Sequence, residues 1–477
     1  MGARRGGAIT AAPAPLVVPL LPPPDPLESC GRLAGLPGRV LFDSASHHAA
    51  TGRYSFLTAD PVRALRARGR RTEERVGGEW REVAGDLLEV MSAALAALRR
   101  DPIDGIPPFQ GGFAGFLGYE FGGVLERLPP PKADDASIPD AAFGLYDWTV
   151  AWDHAAGAAW LVSTGLDRAG AASAERARSR ADAVLARLAI PGAPVMATPS
   201  GGTELRSTFT RPEYLAAVER VREYILAGDV FQVNLSQRFE ASFAGDPLAL
   251  YARLRALTPA PFAAYVDGGD FHLASASPER FLLVEGDRVE TRPIKGTRPR
   301  GATPALDAAL AAELAASAKD RAENVMIVDL LRNDLSRVCR PGSVRATELL
   351  ALEHHPTVHH LVSTVEGRLG AGPGAPALLR AAFPGGSITG APKVRAMEII
   401  AELEPAPRGP YCGTLGYLSL TGAMDTSILI RTFVVHGGRL RFSAGGGIVA
   451  DSDPAAEYAE TLDKARALIT AAGAELG

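Results

Sequence analysis

Short β-prone runs separated by Gly and Pro turns recur along this chain, and they constrain its fold more than any other feature. Between residues ~35 and 165 they include Val40-Leu41-Phe42, Tyr54-Ser55-Phe56-Leu57, Trp148-Thr149-Val150-Ala151-Trp152 and Trp160-Leu161-Val162, which predicts an antiparallel sheet with two helices beside it. An Ala/Arg-rich helical stretch follows at 167–188, and 191–202 is dense in Pro, Gly, Ser and Thr. That linker predicts a boundary between an N-terminal region, 1–200, and a second region, 205–477. The second region opens on Thr210-Arg211-Pro212-Glu213, a capping-box pattern, with Leu215, Val218, Val221 and Ile225 on one helix face and a stop at Gly228. The strand Val230-Phe231-Gln232-Val233-Asn234-Leu235 comes next. Further strands are predicted at 271–275, 281–290, 415–420, 427–435 and 439–444, and helices at ~307–338, 391–403 and 454–472. No internal repeat and no βαβ rhythm is present, which argues against a doubly wound parallel sheet.

At 477 residues and 47% hydrophobic, the chain has material for two domains or one large two-sheet fold. Its net charge of -4 provides no basic footprint for nucleic acid or an anionic membrane, so neither is expected as a partner. Three cysteines, Cys30, Cys339 and Cys412, form no CxxC pair, which favours a reducing cytoplasm over a disulfide or zinc framework. Arg4 and Arg5 precede an apolar stretch, but prolines from 13 onward interrupt any signal helix there. Elsewhere no run approaches the ~20 apolar residues of a membrane span.

Several side-chain groups carry chemistry. Asp320/Glu323 and Glu457/Glu460 each have i,i+3 spacing, so on helices each pair shares a face. Taken singly, such pairs are usually solvated acids near a helix N-terminus. Two of these faces brought together would form an oxygen-rich site suited to Mg²⁺. Lys464 extends the second face by about one further turn. Gly445, Gly446 and Gly447 follow a predicted strand; they suit either a turn or a cradle of backbone N–H groups. Pro384-Gly385-Gly386-Ser387-Ile388-Thr389-Gly390-Ala391-Pro392-Lys393 superficially resembles a phosphate loop, but alanine stands at 391 where that motif needs lysine. Arg431 lies in an apolar run where a guanidinium needs an anion, either a structural carboxylate or a ligand. The cluster Glu353-His354-His355-Pro356-Thr357-Val358-His359-His360 matches no zinc signature. Finally, Thr291-Arg292-Pro293-Ile294-Lys295-Gly296-Thr297-Arg298-Pro299-Arg300-Gly301 sets one lysine in a Pro/Gly-bounded segment just after a strand pattern, where a neutral amine could serve as a nucleophile.

With Ser277-Pro278-Glu279-Arg280-Phe281, the Gly-Gly-Ser-Ile-Thr-Gly-Ala-Pro-Lys loop and Asp463-Lys464-Ala465-Arg466, that segment resembles the chorismate-utilising enzymes. The likeness is dense from about 230 to 470 and weaker through 38–60 and 108–122, where Pro108-Phe109-Gln110-Gly111-Gly112-Phe113 stands. The resemblance implies two large antiparallel sheets packed as an α/β sandwich with helices outside. Pro-Ile-Lys-Gly-Thr is the form found in members that aminate chorismate at C4, whereas members that form anthranilate usually have alanine in place of Lys295. The implied reaction joins chorismate and ammonia to give 4-amino-4-deoxychorismate, with Mg²⁺, for p-aminobenzoate and folate synthesis.

The same resemblance implies roles residue by residue. Lys295 is the nucleophile at C2, Glu279 the general acid, and His360 orients the departing C4 hydroxyl. Arg431, with the amides of Gly445, Gly446 and Gly447, holds a substrate carboxylate; Lys464, Tyr417, Thr389 and Gly390 are further substrate contacts. Glu323 and Glu460 hold the metal, with Asp320 and Glu457 beside them. Ser44, Tyr54, Phe56, Pro261 and Phe262 resemble the family's tryptophan pocket. Arg292 and Arg298 are candidates for depressing the Lys295 pKa. No cysteine sits in a Gly-x-Cys-x-Gly nucleophile turn, so ammonia is expected from a separate glutamine amidotransferase subunit. Three alternatives are anthranilate synthesis, isochorismate or salicylate synthesis, which use a lysine where Gln232 stands, and a tryptophan-binding regulator.

Overall fold

A computed structural model describes residues 13–46, 51–132, 138–191, 204–355, 358–372 and 374–476. Arg4, Arg5, most of the 191–202 linker with the boundary placed in it, and Pro356 lie outside the described residues.

The strands assemble into two sheets, of thirteen and twelve strands among the described residues, antiparallel except where Glu204–Ser207 meets Glu475–Leu476. Both sheets draw strands from either side of the linker. The larger runs from Leu16–Pro19 through Trp148–Asp153 and Val40–Asp43 to Phe262–Asp267, Arg439–Ile448 and Gln232–Ser242. The other runs from Ile294–Pro299 and Val358–Arg368 through Thr414–Ser419 to Gly112–Leu117 and Glu79–Val83. Antiparallel strands often alternate between a buried and a wet face. Here Gly112–Leu117, Trp148–Asp153 and Thr414–Ser419 are buried throughout, because the sheets are covered on both faces.

The helix Arg211–Leu226 has the expected capping box between Thr210 and Glu213. Three predicted elements divide. The helix expected at ~307–338 is two, Pro304–Ala316 and Ala318–Ser336, because Ser317 leaves helical geometry and its hydroxyl accepts the Asp320 N–H at 3.2 Å. The 281–290 run is a hairpin, Arg280–Glu285 and Arg288–Thr291, turning near Gly286 at φ 63°. The 427–435 run breaks after Met424–Ile428 and resumes as Thr432–His436 in the other sheet.

That last break positions the site. Two of the chain's crossings between the sheets matter here, the first from Phe271–Ser277 to Arg280–Glu285 and the second from Met424–Ile428 to Thr432–His436. The crossings are strapped together: the Ile428 N–H donates to the Glu279 carbonyl at 3.1 Å and the Ala276 N–H to the Arg431 carbonyl at 3.0 Å. Among the described residues no helix is long and apolar enough to cross a membrane.

Candidate active site

Glu279 sits on the first crossing, where Pro278 interrupts the strand and the Glu279 N–H turns back to the Ser277 hydroxyl at 3.3 Å. Burial pushes its carboxyl above the usual carboxylate range, partly offset by a hydrogen bond from Ser387 and by the charges of Lys295 and Lys464. Lys295 lies on the edge strand Ile294–Pro299, whose register against Val358–Arg368 slips between Ile294 and Thr297. Gly296 stands in that irregularity at φ 82°, and a Cβ there would fall 2.8 Å from Leu314 Cδ1 and 2.9 Å from Asp320 Cγ, so glycine is required. The Lys295 Nζ donates to the Ser387 carbonyl at 2.9 Å. Burial lowers its pKa; Glu323 and Glu279 oppose that, and Lys464 adds to it. Arg292 and Arg298 do not act here as expected: Arg292 is bound by Glu353 and Thr364, and Arg298 by Glu313 and Asp320.

The two acid pairs stand on Ala318–Ser336 and on Pro454–Ala472, which Asp453 caps by accepting the Ala456 N–H at 2.8 Å. Glu323, Glu460, Lys295 and Lys319 are mutual electrostatic neighbours, so the helices bring their acid faces to one place. Burial raises the Glu323 pKa, whereas Lys464, Lys319 and Lys295 overcome burial and hold Glu460 below its ordinary range. Asp320 is turned instead to Arg298, at 3.3 Å. Glu457 accepts from the Ser452 hydroxyl at 2.6 Å and from Lys319 at 3.1 Å, while its Oε2 is buried with no hydrogen-bond partner. Gly446 faces this cluster, and a Cβ on it would lie 3.2 Å from Glu457 Oε2 and 3.4 Å from Glu460 Oε1. Among the described residues no three acid, histidine or cysteine side chains are placed to hold a metal ion by themselves. An orphaned carboxylate oxygen beside a cation-neutralised acid pair nonetheless fits a hard ion that takes its other ligands from water and an anionic substrate, as Mg²⁺ does.

Arg431 is held at φ 51°, a conformation uncommon for residues other than glycine, and its guanidinium has no hydrogen-bond or ion-pair partner among the described residues. Gly445, Gly446 and Gly447 belong to the strand Arg439–Ile448 rather than a loop after it, paired with Ser236, Leu235 and Asn234. Pairing on the strand's other edge stops at Arg441, so beyond that point this edge has no strand neighbour. Gly445 is required by close approach of the partner strand, since a Cβ would fall 2.5 Å from the Leu235 carbonyl, and its own carbonyl accepts Lys464 at 2.9 Å. Gly447 lies beneath the Gln232 amide, whose Oε1 is unpartnered.

His360, on Val358–Arg368, meets the Thr297 hydroxyl at 2.9 Å through Nδ1. Burial, then Arg431 and His355, push its pKa down to about 3, so its imidazole is neutral at ordinary pH. The other histidines are engaged among themselves: His354 and His359 share a 2.7 Å contact, His359 reaches Asp307 at 2.9 Å and His355 reaches Glu353 at 3.3 Å.

Three expected substrate contacts are placed differently. The Thr389 hydroxyl donates to the Gly385 carbonyl at 3.0 Å and so serves its own loop. Gly390 packs on the neighbouring strand, where a Cβ would fall 2.1 Å from the Gln232 carbonyl. Tyr417 alternates with Gly416 and Leu418 along Thr414–Ser419 and enters an aromatic cluster, stacked on Phe109 at 4.9 Å. It lines a cavity of about 350 Å³ together with Ser44, Tyr54, Phe56, Pro261 and Phe262. Tyr411 precedes Cys412, whose N–H donates to the Leu429 carbonyl on the Arg431 crossing at 2.8 Å. Sequence reasoning passed over Tyr411, Ser387 and Lys319. Ser387 lay in the glycine-rich loop already singled out, but nothing distinguished its carbonyl as the partner of Lys295.

The family of chorismate binding enzymes matches residues 39–470. Aminodeoxychorismate synthase component 1 of Salmonella typhimurium is 46% identical over 435 residues, 91% of this chain and 93% of the relative. Anthranilate synthase component 1 of Thermus thermophilus is 45% identical over 397 residues, 83% of this chain and 84% of the relative. The crystal structure of anthranilate synthase component I from Streptococcus pneumoniae superimposes with a TM-score of 0.77 at 33% identity, covering 88% of this chain and 93% of that one.

Proposed function

This chain belongs to the chorismate binding enzymes, and from that premise we propose that it joins ammonia to C4 of chorismate to form 4-amino-4-deoxychorismate. Overall identity scarcely separates the two activities among its relatives, at 46% and 45%. The observation that carries the choice is Lys295: a buried amine with lowered pKa, beside Glu279 with raised pKa, where anthranilate-forming members usually have alanine. Each shift favours the uncharged form, which a nucleophile and a general acid both need.

In this reading Arg431 pairs with a carboxylate of chorismate and Lys464 lies beside it. Neutral Lys295 forms a bond to C2 as both ring double bonds shift toward C4, and Glu279 gives its proton to the C4 hydroxyl, which leaves as water. Ammonia then bonds to C4, both double bonds return, the C2–N bond breaks to release neutral Lys295, and the new C4 ammonium returns a proton to Glu279. Neutral His360 accepts or donates a hydrogen bond to the C4 hydroxyl without adding charge. Glu323 and Glu460, with Glu457 beside them, would hold Mg²⁺, which when bound supplies neutralisation of the ring carboxylate. Gln232 provides no base at the position where isochorismate and salicylate synthases carry lysine, which favours amination over hydration.

The ammonia source is proposed to be a separate glutamine amidotransferase subunit. Releasing ammonia from glutamine takes a thiolate, whereas burial pushes the Cys30 and Cys412 thiols up to about 12 and raises Cys339 as well. Three buried free thiols also fit a reducing cytoplasm. A second proposal is that the aromatic cavity takes tryptophan, supported by its volume and by Ser44, Tyr54, Phe56, Pro261 and Phe262 in its lining. The deciding experiment incubates the purified chain with chorismate, Mg²⁺ and ammonium. The expected product is 4-amino-4-deoxychorismate, identified by mass and retention; anthranilate as the main product would overturn the reading.

A further inference from the structure

Lys319 opens the helix Ala318–Ser336 between the two acid pairs, and its Nζ lies 3.1 Å from Glu457 Oε1 and 4.0 Å from Glu323 Oε1. It thus spans carboxylates from both helices, which is where the metal reading above sets its ion. We propose that Lys319 is a built-in counter-cation, which neutralises Glu323 and Glu457 until a divalent cation displaces it and so sets how tightly Mg²⁺ binds. The inference rests on that metal reading.

Three observations support it. The neighbouring lysines are committed elsewhere, Lys464 to Glu460 at 2.7 Å and the Gly445 carbonyl, and Lys295 to the Ser387 carbonyl. Lys319 contacts only one oxygen of Glu457, and the other is buried and unpartnered, so its ammonium leaves acceptor capacity unused that a multiply coordinating ion could use. Its side chain is 48% exposed, so the ammonium can swing into water when displaced even though Glu457 itself is buried. A monovalent ammonium and a divalent ion cannot share the same two carboxylates without repulsion at these distances.

Isothermal titration of Mg²⁺ into the full chain and into Lys319→Met and Lys319→Arg tests this, with thermal midpoints measured with and without Mg²⁺. Lys319→Met is expected to bind Mg²⁺ about tenfold more tightly, to melt below the parent without Mg²⁺ because its acids are unneutralised, and to show the larger rise on adding it. Lys319→Arg should stay near the parent. If the parent binds Mg²⁺ and Lys319→Met binds it equally or more weakly, Lys319 supports the metal instead and the proposal fails. If neither binds Mg²⁺, the metal reading itself is lost.

Discussion

The Lys295 site and the aromatic cavity use the same two-sheet scaffold yet treat charge in opposite ways. In the cavity every lining arginine is satisfied: Arg53 by Asp153, Arg280 by Asp425 and Glu290, Arg288 by Glu366, and Arg292 by Glu353. Its walls include edge-on rings, with Phe56 5.2 Å from Tyr417, and Phe109 stacks on Tyr417 at 4.9 Å. At the site Arg431 has no partner among the described residues, Glu457 keeps an orphaned oxygen, and burial works against the charged forms of Lys295 and Glu279. A region whose charges are paired can hold a ligand by shape. A region with unpaired and neutralised groups is arranged for an anionic reactant and for proton movement.

The sharpest way to break this contrast is Lys295→Ala. It should cut 4-amino-4-deoxychorismate formation by roughly a thousandfold or more, since the covalent route is gone while the binding groups stay. Any remaining turnover should give anthranilate. Product analysis that finds the parent's rate and product would end the nucleophile assignment. Next in size, Glu323→Gln and Glu460→Gln should each raise the Mg²⁺ concentration for half-maximal activity about 10- to 100-fold, whereas Glu285→Gln, at the cavity, should leave it unchanged. Equal half-saturation across all three variants would move the metal elsewhere.

Stability should separate the regions in sign. The folded pKa of Glu279 is raised, so its contribution is complete below the unfolded value and is lost as pH rises through the folded one; that of Lys295 is depressed, so its contribution holds above the unfolded value and is lost as pH falls through the folded one. Near neutral pH both groups therefore weigh against folding. Lys295→Met and Glu279→Gln should lose activity yet raise the thermal midpoint by roughly 1–2 °C. Phe56→Ala, which empties a fully packed ring, should instead cost about 3–5 kcal/mol and lower it. Melting curves with the same sign for all three would erase the distinction between a strained site and a satisfied one.

How far the sequence showed this depends on whether a role lies in a local motif or in a crossing. The second acid helix, its Asp453 cap and the i,i+3 pairing were legible, because helix periodicity and Asp453-Pro454 are local signals, whereas the Ser317 cap that starts the first acid helix was not. An antiparallel sheet followed from the Gly/Pro-punctuated strands, and the packing of two such sheets from the family resemblance. The crossing at 429–431 was not legible, since Ile428 through Val435 reads as one apolar strand and only the tertiary fold parts it between sheets. Tyr417 was misdirected for a related reason: alternation says that Tyr417 opposes Gly416, but not which face looks toward Arg431. Arg292 and Arg298 were near Lys295 in sequence, yet a strand sends neighbouring residues to opposite faces, and Glu353 and Asp320 were there to claim them.

The effect that leaves the reaction untouched concerns tryptophan and the cavity. A ligand that binds only the native state stabilises it by an amount that grows with the logarithm of its concentration, about 2.7 kcal/mol at a hundredfold excess over Kd. For a chain of this length that corresponds to a shift of only a few degrees, which needs a differential scan rather than a single melt. The shift should vanish in Phe56→Ala, which removes a wall, and persist in Lys295→Ala, because Lys295 does not line the cavity. It should also be insensitive to Mg²⁺, since the acids of the metal reading lie on other elements. A tryptophan shift that survived in Phe56→Ala but disappeared in Lys295→Ala would place the amino acid in the chorismate site and collapse the two regions into one.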